Sequence, residues 1–142
     1  MRRRVAALAA AGVLLAGCTS QSASRALSDW VSQSAFHSAV ATLRSDARHA
    51  LTALRDSSSP ANLLHTVCGV LDLDAESANA SLPSPDAEST TLLSRAYDQL
   101  GTGASRCYAA AASPAKRALA ISDIERGAAT LAEAAARVSS AS

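Results

Sequence analysis

The sequence predicts an all-α fold, an antiparallel up-down four-helix bundle, from three observations. Apolar residues recur at helical spacing through four segments. No segment shows the alternation of β-branched residues that marks a strand. Three Ser-Pro pairs, Ser59-Pro60, Ser84-Pro85 and Ser113-Pro114, separate those segments. Serine favours the N-cap, and proline suits the first helical position, where its missing N–H breaks no bond, so each pair reads as a helix start. Four helices joined by short loops pack most simply as antiparallel neighbours.

The first helix is expected over residues 25–55. Phe36, Val40, Leu43, Ala47, Ala50, Leu51 and Leu54 share one face of it. Leu27, Trp30 and Val31 lie on a stripe of their own, rotated by more than about 90° at 100° per residue, so a bend is expected near residues 32–34. That bend would let Trp30 pack near a bundle end. A membrane contact is the competing role for Trp30, since tryptophan also favours the headgroup region. The second helix carries Leu63, Leu64, Val67, Cys68, Leu71, Ala75, Ala78 and Leu82 and stops at Pro83. The third opens with Asp86 and Glu88, where the helix dipole favours negative charge, and then presents Leu92, Leu93, Ala96, Leu100, Ala104, Cys107 and Ala111. Gly101 and Gly103 each cost that helix about 1 kcal/mol relative to alanine, so the sequence calls for either a local break or a close helix contact at Gly103. The last helix shows Ile121, Ile124, Ala128, Leu131, Ala135 and Val138 on a single stripe and is expected to fray over residues 139–142.

Composition narrows the function. Aromatic residues make up 3% of the chain, so the core is built from Ala, Leu and Val and leaves little room for a large ligand cavity. The 13 basic residues nearly balance 12 acidic ones, and setting aside Arg2, Arg3 and Arg4 leaves 10 against 12. The basic residues are scattered, which argues against the concentrated basic face that nucleic-acid binding needs. Lys116 is the only lysine among many arginines and alanines, a bias typical of a GC-rich bacterial genome such as an actinobacterium's.

The N-terminus carries an address. Arg2, Arg3 and Arg4 precede an uncharged run over residues 5–16 that is too short to span a bilayer and reads as a signal peptide. The next residues, Leu15-Ala16-Gly17-Cys18, resemble the lipobox of bacterial lipoproteins. The resemblance implies cleavage before Cys18 and a diacylglycerol on its thiol. Two acyl chains suffice for stable attachment where one is marginal. The expected organisation is a signal peptide over 1–17, a lipidated cysteine and flexible tether over 18–24, and a helical domain over 25–142. The protein would then sit on the extracytoplasmic face of the cell membrane, where disulfides persist. With Cys18 committed to lipid, Cys68 and Cys107 remain, and their pairing would join the second and third helices. A redox or metal-binding thiol pair is the weaker alternative, because Cys-x-x-Cys spacing and clustered histidines are missing.

No residue qualifies as catalytic, and no metal or cofactor site can be nominated. Of His37, His49 and His65, only His49 has a carboxylate, Asp46, at i−3; a di-iron bundle needs that pairing twice, with further glutamates. The acidic stretch Asp72-Leu73-Asp74-Ala75-Glu76 lies inside a helical pattern and lacks a calcium loop. Gly101-Thr102-Gly103 follows a helix rather than a strand, so it is no phosphate loop. Serines lack the neighbours that would activate them, and Tyr97 and Tyr108 read as boundary residues of the third helix. The function expected is that of a non-enzymatic, membrane-anchored envelope lipoprotein acting on an unknown envelope protein or cell-wall component. The alternative is a small-ligand or metal binder that uses the bundle interior.

Overall fold

The computed structural model describes residues 18–142, and for residues 18–21 the backbone alone. The expected signal peptide and the Cys18 thiol therefore lie outside the described residues. Five helices follow one another: α1 (Cys18–Gln33), α2 (Phe36–Arg55), α3 (Ala61–Asn79), α4 (Ala87–Tyr108) and α5 (Pro114–Ala141). The described residues form no strand, and the all-α expectation holds.

There are five helices rather than four because the segment expected over 25–55 is two. Ser34 closes α1, its Oγ and its N–H both donating to the Trp30 carbonyl at 2.7 and 2.9 Å. Ala35 then takes a left-handed conformation, φ 49°, which turns the chain into α2. The two apolar stripes thus belong to two helices with different directions. Residues 18–24, expected to be a tether, are instead the first turns of α1. α1 lies at the end of the molecule where α3 and α5 finish. Leu27 is buried there, the Trp30 indole donates to the Ser81 carbonyl at 3.0 Å, and its ring sits 5.4 Å from that of Phe36. Ser24 Oγ reaches the Ser142 carbonyl at 3.2 Å. Trp30 is therefore a packed residue at a bundle end.

The remaining helices form a closed ring of contacts, α2 on α3, α3 on α4, α4 on α5 and α5 back on α2. Leu43, Leu64, Leu71, Leu93, Leu100 and Leu131 fill its interior, with Ala50, Ala96, Ala104, Ala120 and Ala134 between them. Of the three expected helix starts, Ser113-Pro114 is met as drawn: Ser113 Oγ accepts from the Lys116 N–H, and Pro114 is the first helical residue. α4 begins two residues later than its Ser-Pro pair, because Asp86 is the cap. Its carboxylate accepts the Ser89 N–H at 2.9 Å, and as an anion it also complements the helix dipole, which Ser84 would not. α3 begins at Ala61 with Pro60 as the residue before it.

Glycines set how α5 packs. A Cβ on Gly103 would fall 2.6 Å from Ile124 Cγ1 and 2.9 Å from the Ile124 nitrogen, and one on Gly127 would fall 2.9 Å from the Leu100 nitrogen. Close contact is thus what Gly103 provides, and α4 runs unbroken through it. This contact rolls α5 so that Arg117, Ala120, Asp123, Ile124, Gly127, Leu131, Ala134 and Val138 are buried, while Ile121, Ala128 and Ala135 lie at its edge. α5 also continues to Ala141 instead of fraying. Leu63 and Ala111, expected in the core, are exposed.

Candidate functional site

The two cysteines of the helical domain meet in the core. Cys68 on α3 and Cys107 on α4 are fully buried, with their Cα atoms 5.9 Å apart and their sulfurs within bonding distance. Cys18 begins α1, and its thiol is outside the described residues. Among the described residues no group of three or more histidine, cysteine or acidic side chains converges as a metal site would require.

Three polar ties that the sequence reading missed hold the ring. Arg117 is buried, and its Nε donates to the Ala111 carbonyl at 2.7 Å, Nη1 to the Asp56 carbonyl at 2.7 Å and Nη2 to the Ser59 carbonyl at 2.9 Å. It neutralises the C-terminal end of α2, where unpaired carbonyls and the helix dipole favour a cation. Arg137 grips Asp86 with two parallel bonds, 3.0 and 3.1 Å, and pairs with Glu88 at 3.2 Å. That grip, with the Ser89 hydrogen bonds, holds the Asp86 carboxyl far below the usual carboxylate range. Asp123, buried on α5, accepts from Arg106 of α4 and pairs with Arg126 at 3.2 Å. A buried carboxylate is costly unless it is paired, and here it is paired twice.

Other expected candidates are placed as follows. Asp46 is half-buried on α2, and burial raises its carboxyl pKa, as does the facing Asp74 of α3, with His49 opposing both. Asp46 Oδ2 has no hydrogen-bond partner. Tyr97 is buried, and burial pushes its hydroxyl up to about 12. Tyr108 is exposed, its ring stacked 4.1 Å from that of His65.

A concave feature runs along the outer side of the α4–α5 seam, a groove of ≈ 710 Å³. Its α4 wall carries Thr90, Thr91, Ser94, Arg95, Asp98, Gln99, Thr102 and Arg106, and its α5 wall carries Asp123 and Arg126. Every lining side chain is polar. The Thr130 hydroxyl donates to Gln99 Oε1 at 2.8 Å across the seam. The sequence signal for this groove is the run Thr91, Arg95, Asp98, Thr102 and Arg106, a polar stripe at helical spacing that reads, in isolation, as an ordinary solvated face. Only the approach of α5 makes it concave.

Comparison with protein-family models, with curated proteins and with solved structures finds no match to this chain.

Proposed function

We propose that the protein is a lipid-anchored component of the bacterial cell envelope that works by contact rather than by catalysis. The observation that carries this reading is the stretch Leu15-Ala16-Gly17-Cys18 behind a basic start and a short apolar run. In this reading α2 to α5 are an antiparallel up-down bundle stapled by Cys68 and Cys107, and α1 joins them to the lipid on Cys18 at the extracytoplasmic face of the membrane. The interaction role draws support from where the polar side chains go. Asp86, Arg117 and Asp123 are engaged in capping and in ties between helices, which is structural work. The interior is filled by leucine and alanine side chains, which counts against a ligand or metal held inside the bundle.

The test is metabolic labelling of cells that express the protein with a fatty acid, followed by membrane fractionation. Labelled protein in the membrane fraction is expected, and Cys18→Ala is expected to abolish the label. Label retained by Cys18→Ala would show the assignment to be wrong.

A further inference from the structure

We propose that the α4–α5 groove is a binding site for an acidic oligosaccharide, about two rings long, carrying a carboxylate or a phosphate. Ligand pockets of about 300–1,000 Å³ are ordinarily lined by apolar and aromatic side chains with a few polar groups among them. This groove has the size but no apolar or aromatic residue in its walls, so its complement is a ligand that carries hydroxyl groups along its length. Ser94 and Thr102 offer hydroxyls that both donate and accept, and Thr91, whose hydroxyl donates to the Ala87 carbonyl at 3.0 Å, offers an acceptor. Arg95 and Thr102 are seven residues apart on one helix, a rise of about 10 Å, which matches the span of two sugar rings.

Charge supplies the acidic group. Arg95, Arg106 and Arg126 face Asp98 and Asp123, which leaves the groove positive in a chain whose residues beyond Arg4 are acidic overall. Asp123 already holds Arg106 and Arg126, so these two guanidiniums are fixed in place before any ligand arrives. Pre-fixed groups lose less freedom on binding. Arg95 makes no hydrogen bond or ion pair within the described residues, so its planar fork is free to take a carboxylate or phosphate through two bonds. The site rests on the interaction-module reading for its setting in the envelope, but its test does not involve the anchor.

The experiment is an NMR titration of the purified protein with a uronic-acid-containing disaccharide, with maltose as its neutral counterpart and with inositol phosphate as a lipid-headgroup fragment of like chemistry. Saturable shifts confined to the α4 and α5 residues of the groove are expected with the acidic disaccharide, with at least tenfold weaker binding of maltose. Arg95→Gln, an exposed substitution that breaks no hydrogen bond or ion pair among the described residues, is expected to weaken the acidic disaccharide at least fivefold and leave maltose unchanged. Three results would overturn the proposal: no saturable shift, equal affinity of the parent and Arg95→Gln for the acidic disaccharide, or preference for inositol phosphate, which would assign the groove to a headgroup. Failure of fatty-acid labelling at Cys18 would leave this titration unaffected, so the two readings fail separately.

Discussion

Replacing Arg117 with alanine removes a side chain that fastens the α2–α3 and α4–α5 loops to each other. Three short hydrogen bonds disappear, to the carbonyls of Ala111, Asp56 and Ser59. Ala111 and Asp56 are exposed, so their carbonyls regain water and each loss costs about 1 kcal/mol. Ser59 is buried, and its carbonyl, left dry, costs about 2 kcal/mol. The total of about 4 kcal/mol is a large share of the roughly 5–15 kcal/mol that holds an ordinary domain together. For a domain of this length it corresponds to a fall in Tm of about 12–16 °C. Arg117→Lys keeps the charge but replaces a rigid fork with a single ammonium, so it should lose about half as much. Urea unfolding followed by circular dichroism and by tryptophan fluorescence, with calorimetry beside it, gives the numbers. Lys116→Ala, one residue away and exposed, is the control and should stay within about 0.5 kcal/mol of the parent. A loss below about 1 kcal/mol for Arg117→Ala, or full stability of Arg117→Lys, would refute the account.

Gly103→Ala gains about 1 kcal/mol of helix propensity but drives a methyl into the Ile124 backbone, so a net loss of about 1–2 kcal/mol is expected in the same urea titration. Gly101→Ala meets only Asp72 Oδ1 at 3.6 Å, an ordinary contact, and should stabilise by up to about 1 kcal/mol; equal effects at the two glycines would contradict the close-packing argument. Asp86 has a folded pKa below its usual 3.8, so the stability it contributes is fully present above that value and is lost as the pH falls through the depressed one. The gap in Tm between the parent and Asp86→Asn should therefore be constant near neutrality and shrink below about pH 4; a gap that stays flat into strong acid would disprove the linkage. Alkylation of the unfolded, unreduced protein should leave Cys68 and Cys107 unlabelled. The Cys68→Ala, Cys107→Ala double variant should lose about 4 kcal/mol in the chain-entropy account of a 39-residue separation.

Periodicity alone was enough to place most of the core. Leu43, Leu64, Leu71, Leu93, Leu100 and Leu131 are buried as the helical stripes require, because a leucine inside a sustained 3.6-residue pattern has few alternatives. The start of α2 is visible in the sequence only as a mismatch between two stripes, since alanine at position 35 gives no turn signal for the left-handed backbone it adopts. In the sequence Asp86 reads as a dipole complement rather than as the cap, and the Ser-Pro pair ahead of it places the helix start two residues too early. Arg117 left a trace that can be recognised afterwards: it stands seven residues before Ile124, on the stripe that continues to Leu131 and Val138. A charged residue on an apolar stripe is a signal that it has buried partners, but two of them, Asp56 and Ser59, sit in a loop some sixty residues earlier and no local pattern names them. The groove was hidden for a related reason. Concavity belongs to two helices at once, and it follows from how closely Gly103 and Gly127 let them approach.

The manner in which α1 is attached has a mechanical consequence. Its hold on the ring runs through Leu27, Trp30, Val31 and the Ser24–Ser142 hydrogen bond, whereas α3 and α4 meet in the core with Cys68 and Cys107 within bonding distance. Tension applied at Cys18 therefore loads the molecule as a peel, one α1 turn after another, and the hydrogen bond from Trp30 to Ser81 marks where the peel meets the ring. The 16 residues of α1, drawn from helical to extended backbone, lengthen by about 30 Å. A pull at a lipid-anchored Cys18 would thus be taken up as reach before it strained the α2–α5 ring, with α1 as a spring in series with a stiffer body.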